Sequence, residues 1–191
     1  MPDEPEVAGL FALMLLHDSR REAREDAHGR LVTLDRQDRT AWDRASVAEG
    51  LALLERALAV RRPGPYQVQA AISALHARSP AHEATDWRQI LLLYRQLHAY
   101  ETSLVVELNA VVARSYVEGP AAALAELTEL SVRTDGALSS YPPFHLVRAD
   151  LLRRTGDGEG AAAAYHAALA LTGNDAEADF IRRRLAELPG G

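Results

Sequence analysis

The sequence predicts an all-α protein of stacked antiparallel helical hairpins, and three observations lead to this fold class. Alanine, leucine, arginine and glutamate are strong helix formers and make up 99 of the 191 residues, whereas valine and isoleucine together number 15. Apolar residues recur with a period close to 3.6. Proline and glycine divide the chain into segments of helical length, and the short connections between them make neighbouring helices antiparallel.

Four helices are predicted in the first half of the chain. The first is expected over about residues 4–24, and the second runs from near Thr40 to the breaker at residues 61–64. Pro65 suits the first position of the third helix, where a missing amide proton costs nothing. Thr85 is the expected N-cap of the fourth helix. Five residues follow the 3.6-residue period on its apolar stripe: Trp87, Ile90, Leu91, Tyr94 and Leu97.

Five further helices are predicted in the second half. The fifth carries an apolar stripe from Val105 to Val112 and ends at Gly119, and Pro120 opens the sixth. The seventh is expected over residues 141–155. A turn at residues 156–158 precedes the eighth, which carries Ala161, Ala164, Tyr165, Ala168 and Leu169. Asn174 followed three residues later by Glu177 forms a capping box for the ninth, which Pro189 and two glycines should end.

The seventh and eighth helices fit a repeat template. The tetratricopeptide pattern asks for small or apolar residues at positions 8 and 11, Gly at 15, Ala at 20, an aromatic at 24 and Ala at 27. Counted from Pro142 as position 1, all six agree: Ala149, Leu152, Gly156, Ala161, Tyr165 and Ala168. The preceding hairpin, residues 105–130, matches only loosely. We therefore expect one helical domain over residues 1–191, with a divergent half at 1–100 and tetratricopeptide-like hairpins at 101–191.

A charged connector at residues 17–44 interrupts the helical pattern. Half of its residues are charged, seven acidic and seven Arg, and it contains a short extended stretch at 30–34. One interpretation is a solvated connector with ion pairs of small value. A second is that Asp38 or Thr40 caps the second helix while Trp42 anchors the connector to the core. The third is a docking loop, since long loops in compact helical proteins tend to carry function.

Composition and spacing disfavour several classes of function. There is no cysteine, and the net charge of −6 with a pI near 5.6 argues against nucleic acid or an anionic membrane as a partner. The seven histidines show no metal-ligand spacing, and no nucleophile–base arrangement is evident. We expect no enzymatic activity, no cofactor and no metal. The acidic N-terminus and the short apolar runs predict neither a signal peptide nor a membrane span, and so a cytoplasmic protein.

Several blocks of residues resemble a known protein family, which composition alone does not indicate. They are 5–10 with 12–21, Gln37-Asp38-Arg39 with Trp42-Asp43, 49–51, 64–67 with 69–72, Thr85-Asp86-Trp87, and Val106-Glu107-Leu108-Asn109. In this order, and followed by the tetratricopeptide-like tail, they resemble the C-terminal extension of one group of bacterial extracytoplasmic-function sigma factors. The departures from that family's pattern are small. Ser19 stands where the family usually has Ala, Arg36 where it usually has an acidic residue, and Ala110 where Arg often follows Asn.

The resemblance implies a regulatory module without catalytic activity, which contacts core RNA polymerase or the sigma factor's own N-terminal regions to control transcription initiation. Those promoter-reading regions would precede Met1, and this chain has no basic recognition helix to replace them. Seven residues are the predicted contact surface: Asp38, Arg39, Trp42, Tyr66, Trp87, Glu107 and Asn109. Core packing is the competing role for the three aromatic residues. The alternative function is a small-molecule sensor or a free-standing helical-repeat scaffold.

Overall fold

A computed structural model describes residues 4–188. The secondary structure of this part of the chain is all-helical, as predicted, and contains no β-strand longer than an isolated bridge. Proline supplies the first residue of α1, α3, α6 and α7, where it needs no hydrogen-bond acceptor. The α-helices are α1 (Pro5–Asp18), α2 (Arg44–Ala59), α3 (Pro65–Arg78), α4 (Trp87–Tyr100), α5 (Leu104–Val117), α6 (Pro120–Arg133), α7 (Pro142–Thr155), α8 (Gly158–Leu171) and α9 (Asp175–Ala186). Single 3₁₀ turns lie at Glu22–Arg24, Arg39–Ala41 and Ala137–Ser140.

The chain divides into two compact units, residues 1–106 and 107–191. In the first unit α1 packs against both α2 and α3, and α3 also packs against α4. Ala12 and Leu16 of α1 meet Leu54 of α2 and the small residues Ala70 and Ala74 of α3 in its core. The small side chains on α3 allow the helices to approach closely. The number of independently folding domains stays a prediction.

Helix α1 also fixes the start of α3. The residue before α3 is Gly64, which has no side chain to cap the helix. The carboxylate of Glu6 takes this role by accepting hydrogen bonds from the backbone N–H groups of Tyr66 and Gln67, at 3.0 and 3.2 Å, and from the Gln67 amide at 2.9 Å. The approach is close enough that a Cβ on Gly9 would lie 2.8 Å from Gln67 Cγ. A glycine is therefore required at position 9.

The tetratricopeptide register of α7 and α8 is confirmed in the second unit. Five of the six template residues are buried, and Gly156 adopts the left-handed conformation with φ of 87° at the C-terminus of α7. Tyr165 fills the space between α8 and α9, in a core with Ala149, Ala161, Ala168 and Ile181. Asn174 caps α9 as predicted, since its side-chain oxygen accepts from the N–H groups of residues 176 and 177. The predicted stop at residues 189–191 lies outside the described residues.

Three predicted boundaries were wrong. The first helix ends at Asp18 instead of Arg24; Ser19 is its C-cap, and the Ser19 hydroxyl donates to the Leu16 carbonyl. The second helix begins at Arg44, and Asp43 caps it in place of Asp38 or Thr40. Asp86, not Thr85, caps α4 by accepting from the N–H of residue 89. At the two N-termini, a second residue able to cap lies nearby, and local spacing does not distinguish the two.

Candidate functional site

The connector at residues 17–44 folds back on itself. The backbone N–H of Asp43 donates to the carbonyl of Ser19 at 2.7 Å, so the two ends of the loop meet. Inside it, Val32 N–H donates to Arg24 O at 2.8 Å, and Glu25 and Leu31 form an isolated antiparallel bridge where an extended stretch was predicted. The connector is therefore an ordered loop.

Asp26 organises the tip of this loop. Its carboxylate accepts from the backbone N–H groups of His28 and Arg30, at 2.8 and 3.0 Å, and from the Arg30 guanidinium at 2.8 Å. These hydrogen bonds, above all that of the Arg30 backbone, lower the pKa of Asp26 to about 2. The Asp26 carboxylate at the tip thus stays ionised at neutral pH.

Arg39 anchors the loop to the rest of the first unit. Its guanidinium donates to the backbone carbonyls of His76 and Ser79, at 2.6 and 3.0 Å, and to the Thr85 hydroxyl at 3.1 Å. The last carbonyls of a helix have no partner within the helix and carry partial negative charge, so a cation at the end of α3 is well placed. Arg39 also lies over the Trp42 ring, with 5.5 Å to the ring centroid.

Aromatic rings complete the anchor. Trp42 is only 4% exposed, which confirms the prediction that it fixes the connector to the core. The Trp87 ring packs edge-on against His76, with 5.2 Å between ring centroids, and tilted against His82 at 5.0 Å. Its indole N–H donates to the His82 carbonyl at 3.3 Å. We call the group formed by Arg39, Trp42, His76, His82, Thr85 and Trp87 the Arg39 cluster.

His76 is the most perturbed titratable group of the cluster. Burial, followed by the positive charge of Arg39, lowers the pKa of His76 to about 4. Its Nδ1 atom is buried and makes no hydrogen bond. The imidazole of His76 is therefore neutral at physiological pH.

Asp38 is the member of the predicted contact surface that the loop presents to solvent. Its carboxylate accepts from the hydroxyl and the backbone N–H of Thr40, at 2.7 and 2.8 Å, and these hydrogen bonds lower its pKa. Asp38 thus caps the 3₁₀ turn at Arg39–Ala41. An ionised carboxylate is held in a fixed place on a surface that also exposes Asp35 and Arg36.

The structure brings together only part of the predicted contact surface. Arg39, Trp42 and Trp87 meet in the Arg39 cluster, and Asp38 lies beside it. Tyr66 is 42% exposed but begins α3, about 15 Å along the helix axis from His76. Glu107 and Asn109 belong to the second unit, where Glu107 pairs with Arg133 and Asn109 is exposed.

Sequence reasoning missed His76, Ser79 and Thr85 as partners of Arg39. Two of the three acceptors are backbone carbonyls. Every residue has one, so the sequence does not indicate which carbonyls accept from Arg39. They lie 37 and 40 residues from Arg39 along the chain.

The described residues offer no metal centre and no membrane span. Between residues 4 and 188, no three His, Asp or Glu side chains are grouped to hold a metal ion. None of the helices in that range is both long and apolar enough to cross a bilayer. The contacts of the Arg39 cluster hold the connector loop against the end of α3.

Comparisons with known proteins give no description of function. Residues 1–58 match a family of unknown function, DUF6596. A protein of Rhizobium meliloti (strain 1021), described only as uncharacterized, is 48% identical over 187 residues, which are 98% of this chain and 43% of that protein. No solved structure matches significantly. The chain therefore spans less than half the length of the curated relative that it matches.

Proposed function

We propose that this chain is a regulatory module of a bacterial extracytoplasmic-function sigma factor, without catalytic activity. It acts by contacting core RNA polymerase or the promoter-reading regions of the sigma factor, and thereby controls transcription initiation. The resemblance of the blocks from Pro5 to Asn109 suggests this role. The all-helical, repeat-like packing is suited to recognising another protein.

The observation that carries the proposal is the anchored connector. The block Gln37-Asp38-Arg39 with Trp42-Asp43 is the most polar part of the resemblance, and its residues have two different tasks. Arg39 and Trp42 point into the protein and hold the loop, whereas Asp38 faces solvent. A rigid loop loses little conformational entropy on binding, so a polar contact through Asp38 adds directly to affinity.

The length of the relative also supports the proposal. More than half of the Rhizobium protein lies outside the match, which leaves room for further regions beside the part that corresponds to this chain. In the proposal, those further regions are the ones that read the promoter.

The test is a reporter transcription assay with the complete sigma factor that carries this chain. Asp38→Asn keeps an oxygen to accept from the Thr40 N–H but removes the charge. We expect reporter output to fall about tenfold, the equivalent of one charged contact of roughly 1.4 kcal/mol, while the circular dichroism spectrum stays unchanged. The matched control is Asp179→Asn, an exposed aspartate on α9. Equal output from Asp38→Asn and the unmodified factor would exclude docking through this loop.

A further inference from the structure

Two arginines, Arg20 and Arg24, lie where the end of α1 meets the connector, and they play no part in the function proposed above. Arg20 follows the last turn of α1, and Arg24 ends the 3₁₀ turn at Glu22–Arg24. The Arg24 guanidinium donates to the backbone carbonyl of His17 at 2.9 Å, which holds it against the end of α1. The Nε2 atom of His17 lies 3.1 Å from the Ser73 hydroxyl oxygen, within hydrogen-bonding distance, and so joins the same end of α1 to α3. We call this place the α1–α3 junction.

Arg20 is the group at the junction whose charge has the least support from the chain. Its side chain is partly buried, and burial, followed by the positive charge of Arg24, lowers the pKa of Arg20. In the part of the chain that the structure describes, its guanidinium donates no hydrogen bond and forms no ion pair. Removing a cation from water without a partner is unfavourable, so a group of this kind is a candidate for binding an anion.

Arg24 also lacks a carboxylate partner within residues 4–188. It is exposed, and its guanidinium has N–H groups besides the one that donates to the His17 carbonyl. The four acidic residues of this stretch do not neutralise the two arginines: Asp18 pairs with Arg21, Asp26 pairs with Arg30, and Glu22 and Glu25 form no ion pair with Arg20 or Arg24. Two neighbouring positive charges therefore have no counter-ion among the described residues.

The electrostatic field at the junction is positive. Burial is the first cause that lowers the pKa of His17, and the charges of Arg20 and Arg24 come next. The pKa of His76, on the α3 side, is lowered by burial and then by the charges of Arg39 and Arg20. Arg20 is therefore close both to the end of α1 and to the Arg39 cluster.

Hydrogen-bond donors outnumber acceptors on the α3 side of the junction. The Arg39 Nε–H and the Trp42 indole N–H are buried without an acceptor, and His76 Nδ1 is buried without a partner. One buried acceptor of the connector, Gln37 Oε1, also lacks a partner. The charge of Glu83 favours the ionised form of Arg39, but Glu83 is exposed and forms no ion pair with it in the described part of the chain. An acceptor-rich anion would complement this surplus of donors and of positive charge.

A phosphate group matches the junction in charge and in hydrogen bonding. A phosphate monoester carries a charge of about −1.5 to −2 at neutral pH and accepts through three oxygens. The planar guanidinium binds phosphate oxygens in pairs, so two arginines can bind one phosphate group. A single carboxylate would leave one of the two arginine charges without a partner, which favours phosphate over carboxylate.

We propose that the α1–α3 junction binds the phosphate group of a small molecule, which accepts hydrogen bonds from the guanidinium groups of Arg20 and Arg24. The net charge of −6 disfavours a polyanion such as nucleic acid, so a small soluble molecule is the ligand that fits. The bound phosphate joins the end of α1 to the connector. This site is separate from the contact through Asp38, so it stands whether or not the sigma-factor proposal holds.

The first test is a titration of the 191-residue chain with inorganic phosphate near neutral pH, in which NMR follows the Nε–H resonances of the arginines. Sodium chloride at the same ionic strength is the reference. We expect saturable shifts of the Arg20 and Arg24 resonances, with a Kd of about 5 mM or tighter. Shifts with phosphate that are no larger than those with chloride would overturn the proposal.

Three variants then locate the phosphate in the same titration. Arg20→Met removes one guanidinium and should raise Kd at least about tenfold, and Arg24→Met should raise it at least about fivefold. Arg24 is exposed, so Arg24→Met tests the site even where Arg20→Met affects folding. Arg21→Met removes the same charge one residue away, from an arginine that pairs with Asp18, and should change Kd by less than about twofold. An equal rise in Kd for all three variants would show attraction to overall charge alone and would contradict the site.

A second experiment distinguishes a soluble phosphate from the phosphate of a lipid headgroup. The chain is sedimented with vesicles that contain phosphatidic acid, and we expect it to stay in the supernatant because its net charge is −6. Binding to these vesicles without binding to inorganic phosphate would overturn the assignment to a small molecule.

Discussion

Stability should fall by up to about 3 kcal/mol as the pH is lowered from about 6.5 to about 4, because of His76 alone. In the folded chain its pKa is about 4, against an ordinary value of 6.5. Between these two values the unfolded chain binds a proton that the folded chain does not, so acid favours unfolding. The stabilisation is complete above pH 6.5 and is lost as the pH approaches 4.

The measurement is urea unfolding at several values between about pH 7.5 and about pH 4.5, where the free energy of unfolding is compared between the wild type and His76→Phe. Phenylalanine keeps a ring against Trp87 but cannot take up a proton. We expect the pH dependence to be clearly shallower in the variant, with a remainder from His17, whose pKa burial also lowers. If the free energy of unfolding had the same pH dependence in both proteins, His76 would not be buried as a neutral ring.

Replacing Arg39 by methionine should lower the free energy of unfolding by about 2 to 3 kcal/mol. Hydrogen bonds from a charged donor contribute about 1.5 to 3 kcal/mol each before solvent replaces part of them, and Arg39 makes three. Methionine retains the unbranched stem that packs near Trp42, so the loss reports on the guanidinium. The measurement is again urea unfolding at neutral pH.

Arg21→Met is the matched control, since Arg21 is a largely exposed arginine of the same connector that pairs with Asp18. Exposed ion pairs of this kind contribute little to stability, and we expect Arg21→Met to change the free energy of unfolding by less than about 0.5 kcal/mol. Arg39→Lys should lie between the two, because one ammonium cannot reach three acceptors spread over a planar fork. A loss at Arg39→Met no larger than at Arg21→Met would contradict the anchoring role.

The parts of the fold that sequence predicts well are those set by local chemistry. Pro65 and Pro120 begin helices because their missing N–H costs nothing there, and Asn174 caps α9 because its side chain reaches two nearby amides. The alternation of small and large residues from Ala149 to Ala168 fixes the register of α7 and α8. These signals act within a few residues, so a single sequence contains them.

The parts that sequence does not predict depend on distant partners. Glu6 caps α3 from 60 residues away. Arg39 donates to backbone carbonyls, which are the same for every residue type and so give no signal in the sequence. Residue type alone made Arg39 and Asp38 equal candidates for the contact surface. The structure separates them, because only the acceptors at the end of α3 show that Arg39 points inward.

Direct binding tests the proposal that this chain recognises the transcription machinery. The purified 191-residue chain is titrated by biolayer interferometry against immobilised core RNA polymerase and, separately, against the promoter-reading regions of the sigma factor. We expect saturable binding to at least one of them, with a Kd in the micromolar range or tighter, and we expect Asp38→Asn to raise this Kd several-fold. Binding to neither would contradict it.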